Sequence, residues 1–169
     1  MSHPVAAEDE EVWRNGLREH RDSFWRSLPW TAWRKAAGEA RQRFFSKSRP
    51  QRPYFAVDAP LAEVGTHLLT HYFRPSWDIS YHYHGEAYNA ARAVPGPYGH
   101  GDLVFQTHVR GYPGEGDGVE LQAHSEPCPL SHPKEHILGT GFDYERGMAD
   151  LNGALKLADF SFARRHPDG

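Results

Sequence analysis

The chain has 169 residues, of which 38% are apolar and 24% charged, with a formal net charge of −3. That length suits a single domain with a real core, and no apolar run reaches the roughly 18 residues that a transmembrane helix needs. Cys128 is the only cysteine, which excludes an internal disulfide, and the opening Met1-Ser-His-Pro leads into Glu8-Asp9-Glu10 rather than into a secretory signal; a soluble cytoplasmic protein is the expectation.

Charge is unevenly spread. Residues 11–53 hold eleven Arg or Lys against four Asp or Glu, a net of +7, whereas residues 54–169 carry a net of −7. A basic segment beside an acidic one suits docking of one on the other, or contact with a partner or a second copy. Because the whole chain is not basic, nucleic acid ranks below a protein partner or self-association.

In chain order, residues 11–28 read as a helix from the recurrence of Trp13, Leu17, Phe24 and Leu28, ended by Pro29. Trp30, Trp33, Ala37, Ala40 and Phe44 mark one face of a second helix. Ser46–Pro53 (SKSRPQRP) has linker chemistry and closes a basic, tryptophan-rich arm over residues 1–53. Within that arm, Trp25, Trp30 and Trp33 with Arg26 and Arg34 form the expected partner-binding set, since tryptophan and arginine dominate interface hot spots. The other reading of the same tryptophans is that they dock the arm on its own body.

The body, residues 54–169, opens with a helix capped at Asp58, with Pro60 in its first turn and Leu61, Val64, Leu68 and Tyr72 on its apolar face. Three segments with a period of two follow and predict half-buried strands. In the first, Ile79, Tyr81 and Tyr83 oppose Ser80, His82, His84 and Glu86. In the second, Leu103, Phe105, Thr107 and Val109 oppose Val104, Gln106, His108 and Arg110. In the third, Val119, Leu121 and Ala123 oppose Glu120, Gln122, His124 and Glu126. Residues 89–101 read as a long turn and Gly111–Gly118 as a hairpin loop. Residues 125–134 read as an irregular proline-rich loop, and residues 135–142 as a fourth strand. A last helix is capped by Asp143, with Met148, Leu151, Leu155, Ala158 and Phe162 on its buried stripe. The fold class expected is α+β: an antiparallel meander of three to four strands with helices on one face, preceded by the helical arm.

Two places can carry chemistry. Imidazoles and carboxylates bind zinc and other divalent transition metals, and His82, His84, Glu86, His108 and His124 all fall on the polar side of the predicted meander. Placing Arg110 opposite Gly118 sets His108 against Glu120, which separates His108 from His124. An open antiparallel sheet also has a solvated face on which such residues sit without binding anything. The second place is the proline-rich run holding Cys128, His132 and His136, whose prolines exclude a continuous helix. The leading expectation is a binding or adaptor domain that presents its polar sheet face and its arm. The alternative is a small metal-dependent enzyme with a His/Glu site on that face. Elemental analysis separates them.

Overall fold

A computed structural model describes residues 46–76, 80–96 and 103–167, together with Ala40 and Phe44. Trp25, Arg26, Trp30, Trp33 and Arg34, and the helices expected in the arm apart from Ala40 and Phe44, lie outside the described residues.

The elements are β1 (Tyr54–Val57), α1 (Leu61–Thr70), β2 (Arg74–Pro75), β3 (Tyr88–Val94), β4 (Phe105–Pro113), β5 (Val119–Pro127), α2 (Pro133–Leu138), α3 (Tyr144–Leu155) and β6 (Phe162–Arg165). The strands form one antiparallel sheet of six, in the order β2-β3-β4-β5-β1-β6. The α+β class is therefore as expected; the sheet is larger than the expected meander, whose second and third strands are β4 and β5 while β3 takes the place of the first.

Period-two alternation divides the two faces. Phe55, Val57, Ala90, Val109, Val119, Leu121 and Ala123 point to one side and form the core with Val64 and Leu68 of α1 and Met148, Leu151 and Leu155 of α3. Helix α1 begins at an N-cap that is Pro60 rather than Asp58, with no side-chain cap. It ends with the Phe73 N–H on the Leu68 carbonyl and the Tyr72 N–H on that of Leu69, with Tyr72 at φ 66°. This is the Schellman arrangement, here without its usual glycine. Helix α3 starts where the sequence placed it, and the Asp143 side chain accepts from the Arg146 N–H at 3.0 Å. Its stripe stops at Leu155, and Phe162 belongs to β6 instead, where it stacks edge-on against Phe55 with ring centroids 5.5 Å apart.

The close fit of α3 depends on Gly147. A Cβ at this position would sit 2.2 Å from the His124 Cα and 2.3 Å from its carbonyl carbon. The helix therefore rides on the bare backbone of β5, between the small side chains of Ala123 and Ser125.

Four expectations are corrected. Residues 81–87 do not join the sheet; they form a loop with one isolated bridge, Lys47 to Tyr83. The cause is Glu86, whose carboxylate accepts the backbone N–H of His82 at 2.9 Å and of Tyr83 at 3.2 Å, donors that a strand would need for its ladder. The strand lies later, at Tyr88–Val94, within the expected turn. Residues 135–142 are not a strand: Pro133 opens α2 at its first turn and Gly139, at φ 66°, closes it. Finally, the β4–β5 hairpin loop is shorter than expected. Pro113 pairs with Val119, so His108 lies opposite His124 rather than Glu120.

Candidate metal centre

The polar side of β3, β4 and β5 is not a solvated surface. His108, Arg110, Gln122 and Glu126 are all buried. Three pieces of chain lie over them. From residues 46–53, the Pro50 and Arg52 carbonyls accept from Gln122, Arg49 pairs with Glu120, and the Arg49 guanidinium sits 4.2 Å from the Tyr112 ring centroid. From the 80–87 loop, the Ser80 carbonyl accepts from Arg110 at 3.0 Å and the Tyr83 ring lies under its guanidinium. From α2, His136 reaches Glu126.

Burial obliges each of these groups to find a partner. Glu86 meets the obligation at one end. Its Oε1 accepts from Arg110 and from Asn89, each at 2.6 Å, while its Oε2 takes the two loop N–H groups. Its oxygens are thus engaged in holding the loop and Arg110. His82 and His84 lie on that loop, and the His84 ring bonds the Ser46 hydroxyl at 2.8 Å. The loop position separates both from the sheet-face cluster.

That cluster is His108, His124 and Glu126, whose ligand atoms all lie within 4.8 Å of one another. His108 and His124 face each other across β4 and β5, with ring centroids 5.1 Å apart. Glu126 follows His124 by two residues on the same strand and so shares its face. Glu126 Oε1 is 2.9 Å from His108 Nδ1, and its Oε2 is 3.1 Å from His124 Nε2. Gln106 donates to Oε1 at 3.0 Å, and the Phe142 ring stacks on His124 at 4.7 Å.

The hydrogen bonds fix the tautomer of His108. Asn89 donates its amide N–H groups to the Ser80 carbonyl and to Glu86, so its oxygen must be the atom that faces His108 Nε2 at 2.7 Å. His108 Nε2 therefore carries a hydrogen and donates it, which leaves Nδ1 to confront Glu126. Burial is the main cause that lowers the pKa of His108, and its bond to Glu126 opposes burial. For Glu126, burial works to raise the carboxyl, but its hydrogen bonds from His108 and His124 outweigh burial and hold it well below the usual carboxylate range. The Nδ1 atom and a carboxylate oxygen 2.9 Å apart need a cation between them, because lone pair against anion is repulsive. A proton or a metal ion fills that role. Two histidines and one carboxylate are a proper donor set for zinc or iron(II), with coordination positions to spare.

The remaining sequence candidates divide. Cys128 is buried, with its N–H on the Val104 carbonyl and its own carbonyl taken by the His132 N–H. His132 Nε2 is buried without a hydrogen-bond partner. Neither joins the cluster. His136 does approach it, at 3.5 Å from Glu126 Oε2. Glu126, Asn89 and Gln106 were not among the sequence-derived ligands. The signal for Glu126 was present in His124-x-Glu126, since residues two apart on a strand share a face. Asn89 carried no signal, because its strand read as a turn.

No protein-family model matches the chain, and no curated protein or solved structure is significantly similar to it. Among the described residues, no helix is long and apolar enough to cross a membrane.

Proposed function

We propose that this protein is a small metal-dependent enzyme in which His108 Nδ1, His124 Nε2 and the Glu126 carboxylate hold one divalent transition ion, zinc foremost. The observation that carries this reading is the meeting of His108, His124 and Glu126, whose ligand atoms all lie within 4.8 Å of one another. Asn89 orients the ring by its Nε2–H, so Nδ1 is the nitrogen that faces the carboxylate. An outer partner that takes one ring N–H is the usual companion of a metal-bound histidine. A three-residue ligand set with positions to spare is the catalytic pattern rather than the closed structural one. Such an ion polarises a carbonyl or phosphoryl oxygen, or lowers the pKa of a bound water.

Elemental analysis of protein purified without a metal-affinity tag tests the reading, together with zinc titration by calorimetry. About one ion per chain is expected, with binding abolished in His124→Ala and in Glu126→Gln. Protein that is metal-free and takes up no zinc would sink it.

A second reading, a binding or adaptor domain, draws on a separate observation. Leu130, Ile137, Leu138 and Phe142 are exposed on and around α2, with Ile137 82% accessible. Apolar side chains grouped in this way suit contact with a second copy of the chain. Sedimentation that depends on protein concentration in the wild type but not in Ile137→Asp supports this reading, and a monomer at every concentration removes it.

A further inference from the structure

Arg52 lies on the segment that crosses the polar side of the sheet, and its backbone is fixed there. Its N–H donates to the Pro50 carbonyl and its own carbonyl accepts from the Gln122 side chain, each at 3.0 Å. The Tyr144 hydroxyl donates to the carbonyl of Pro53, the next residue. The Arg52 side chain is exposed and rests on two rings, with its guanidinium carbon 5.3 Å from the centroids of both Phe142 and Tyr144. The Phe142 ring is also stacked on the imidazole of His124, at 4.7 Å. The guanidinium and one ligand of the proposed ion thus share a phenyl ring as their neighbour.

Arg49, Arg92, Arg110 and Arg164 each face a carboxylate, of Glu120, Asp150, Glu86 and Glu145 respectively. Among the described residues, no carboxylate pairs with Arg52. Ring contact orients a guanidinium without neutralising it and uses none of its N–H donors. A group held in that state suits a carboxylate, whose two oxygens match two parallel N–H groups. The cluster next to it reaches the surface: the side chains of His124 and Glu126 keep 14% and 10% of their area exposed, and Phe142 keeps 42%.

We infer that Arg52 is a specificity-determining residue of the metal centre, and that the ligand taken there is a small organic acid. An oxygen donor at one end of that acid binds the ion, and a carboxylate at the other end meets the Arg52 guanidinium. This rests on the His108–His124–Glu126 centre. The contacts through Phe142 bring the two anchor points within the span of a short carbon chain. A neutral molecule of the same size gains only the ion.

The zinc-loaded full-length chain is titrated with acetohydroxamate, which offers oxygen donors to the ion alone, and with the monohydroxamates of succinic, glutaric and adipic acid, which add a carboxylate at increasing reach. The wild type is expected to bind the best of these acids about 5-fold more tightly than acetohydroxamate, the upper range of what one partly exposed ion pair supplies. Arg52→Gln should lose that advantage, and Arg52→Lys, which keeps the charge but not the fork, should retain only part of it. The ratio between acid and acetohydroxamate is read within each variant, so a general loss of stability or of zinc affinity cancels. If the wild type holds zinc and none of the acids exceeds acetohydroxamate, or if Arg52→Gln keeps the full advantage, this inference falls while the three-residue centre stands. Zinc-loaded protein that takes up no hydroxamate at all would overturn it too, since the ion then has no position open to a ligand. If the wild type takes up no zinc, the centre itself falls, and this inference with it.

Discussion

Glu86 and Asn89 show how single residues set up the site without belonging to the three-residue cluster. Glu86 has no exposed side-chain area and faces Arg110, whose side chain is 10% exposed. Removing one member of such a pair leaves a charge in the interior without compensation, so Glu86→Ala is expected to lower stability by about 3–5 kcal/mol, read by urea unfolding. Glu86→Gln should retain part of that stability, because an amide oxygen still accepts from Arg110. Asn89 acts one bond further in, by holding the His108 tautomer. Asn89→Ala is expected to weaken zinc binding by about 10- to 100-fold while leaving one site per chain, measured by competition with a coloured chelator. An unchanged affinity would mean that the orientation of His108 is set by Glu126 and His124 alone.

At the scale of elements, the decisive contact is between α3 and β5. A methyl group on Gly147 meets backbone rather than a flexible side chain, so helix or strand must shift. Gly147→Ala is therefore expected to cost about 1–3 kcal/mol and also to weaken metal binding, since the atoms displaced belong to His124. A variant that melts early but binds zinc with full affinity would show that β5 absorbs the strain elsewhere. The same elements explain what the sequence disclosed. Strands β4 and β5 were legible because Thr107, Val109, Leu121 and Ala123 face the core while Gln106, His108, Gln122 and His124 face away. Strand β3, Tyr-Asn-Ala-Ala-Arg-Ala-Val, was not, because three alanines carry little β-preference and both Asn89 and Ala90 are buried, which erases the alternation. The run Tyr81-His82-Tyr83-His84 imitates a strand, but Glu86 takes its N–H groups, and nothing local to the sequence announces that. The short helix α2 was legible in principle, since Pro133 and Gly139 are start and stop signals. The pairing of His108 with His124 was lost to an assumed loop length. The error displaced β5 by four residues, an even number, so each side chain kept its face and only the partners were wrong.

At the scale of the whole molecule, tyrosine burial sets an alkaline limit. Burial is the main cause that pushes Tyr88 and Tyr144 each up to about 12, and it raises Tyr112 further. The folded state keeps these phenols protonated after the unfolded state has begun to lose them, near pH 10. Their contribution to stability is therefore complete below pH 10 and fades as pH rises toward 12. Melting temperature is expected to decline over that window, with phenolate absorbance from the buried tyrosines appearing together with unfolding. Early, reversible ionisation of all tyrosines without loss of structure would refute the burial. The two ends of the sheet carry a different consequence. One end is β2, only two residues long and closed by Pro75, which has no N–H to offer; the other is β6, where Arg164 and Arg165 stand exposed. Neither margin is a good template for a strand from another molecule, because one lacks length and a donor while the other sets guanidinium groups in the path. Copies of this protein thus resist stacking into ribbons through these two rims of the sheet.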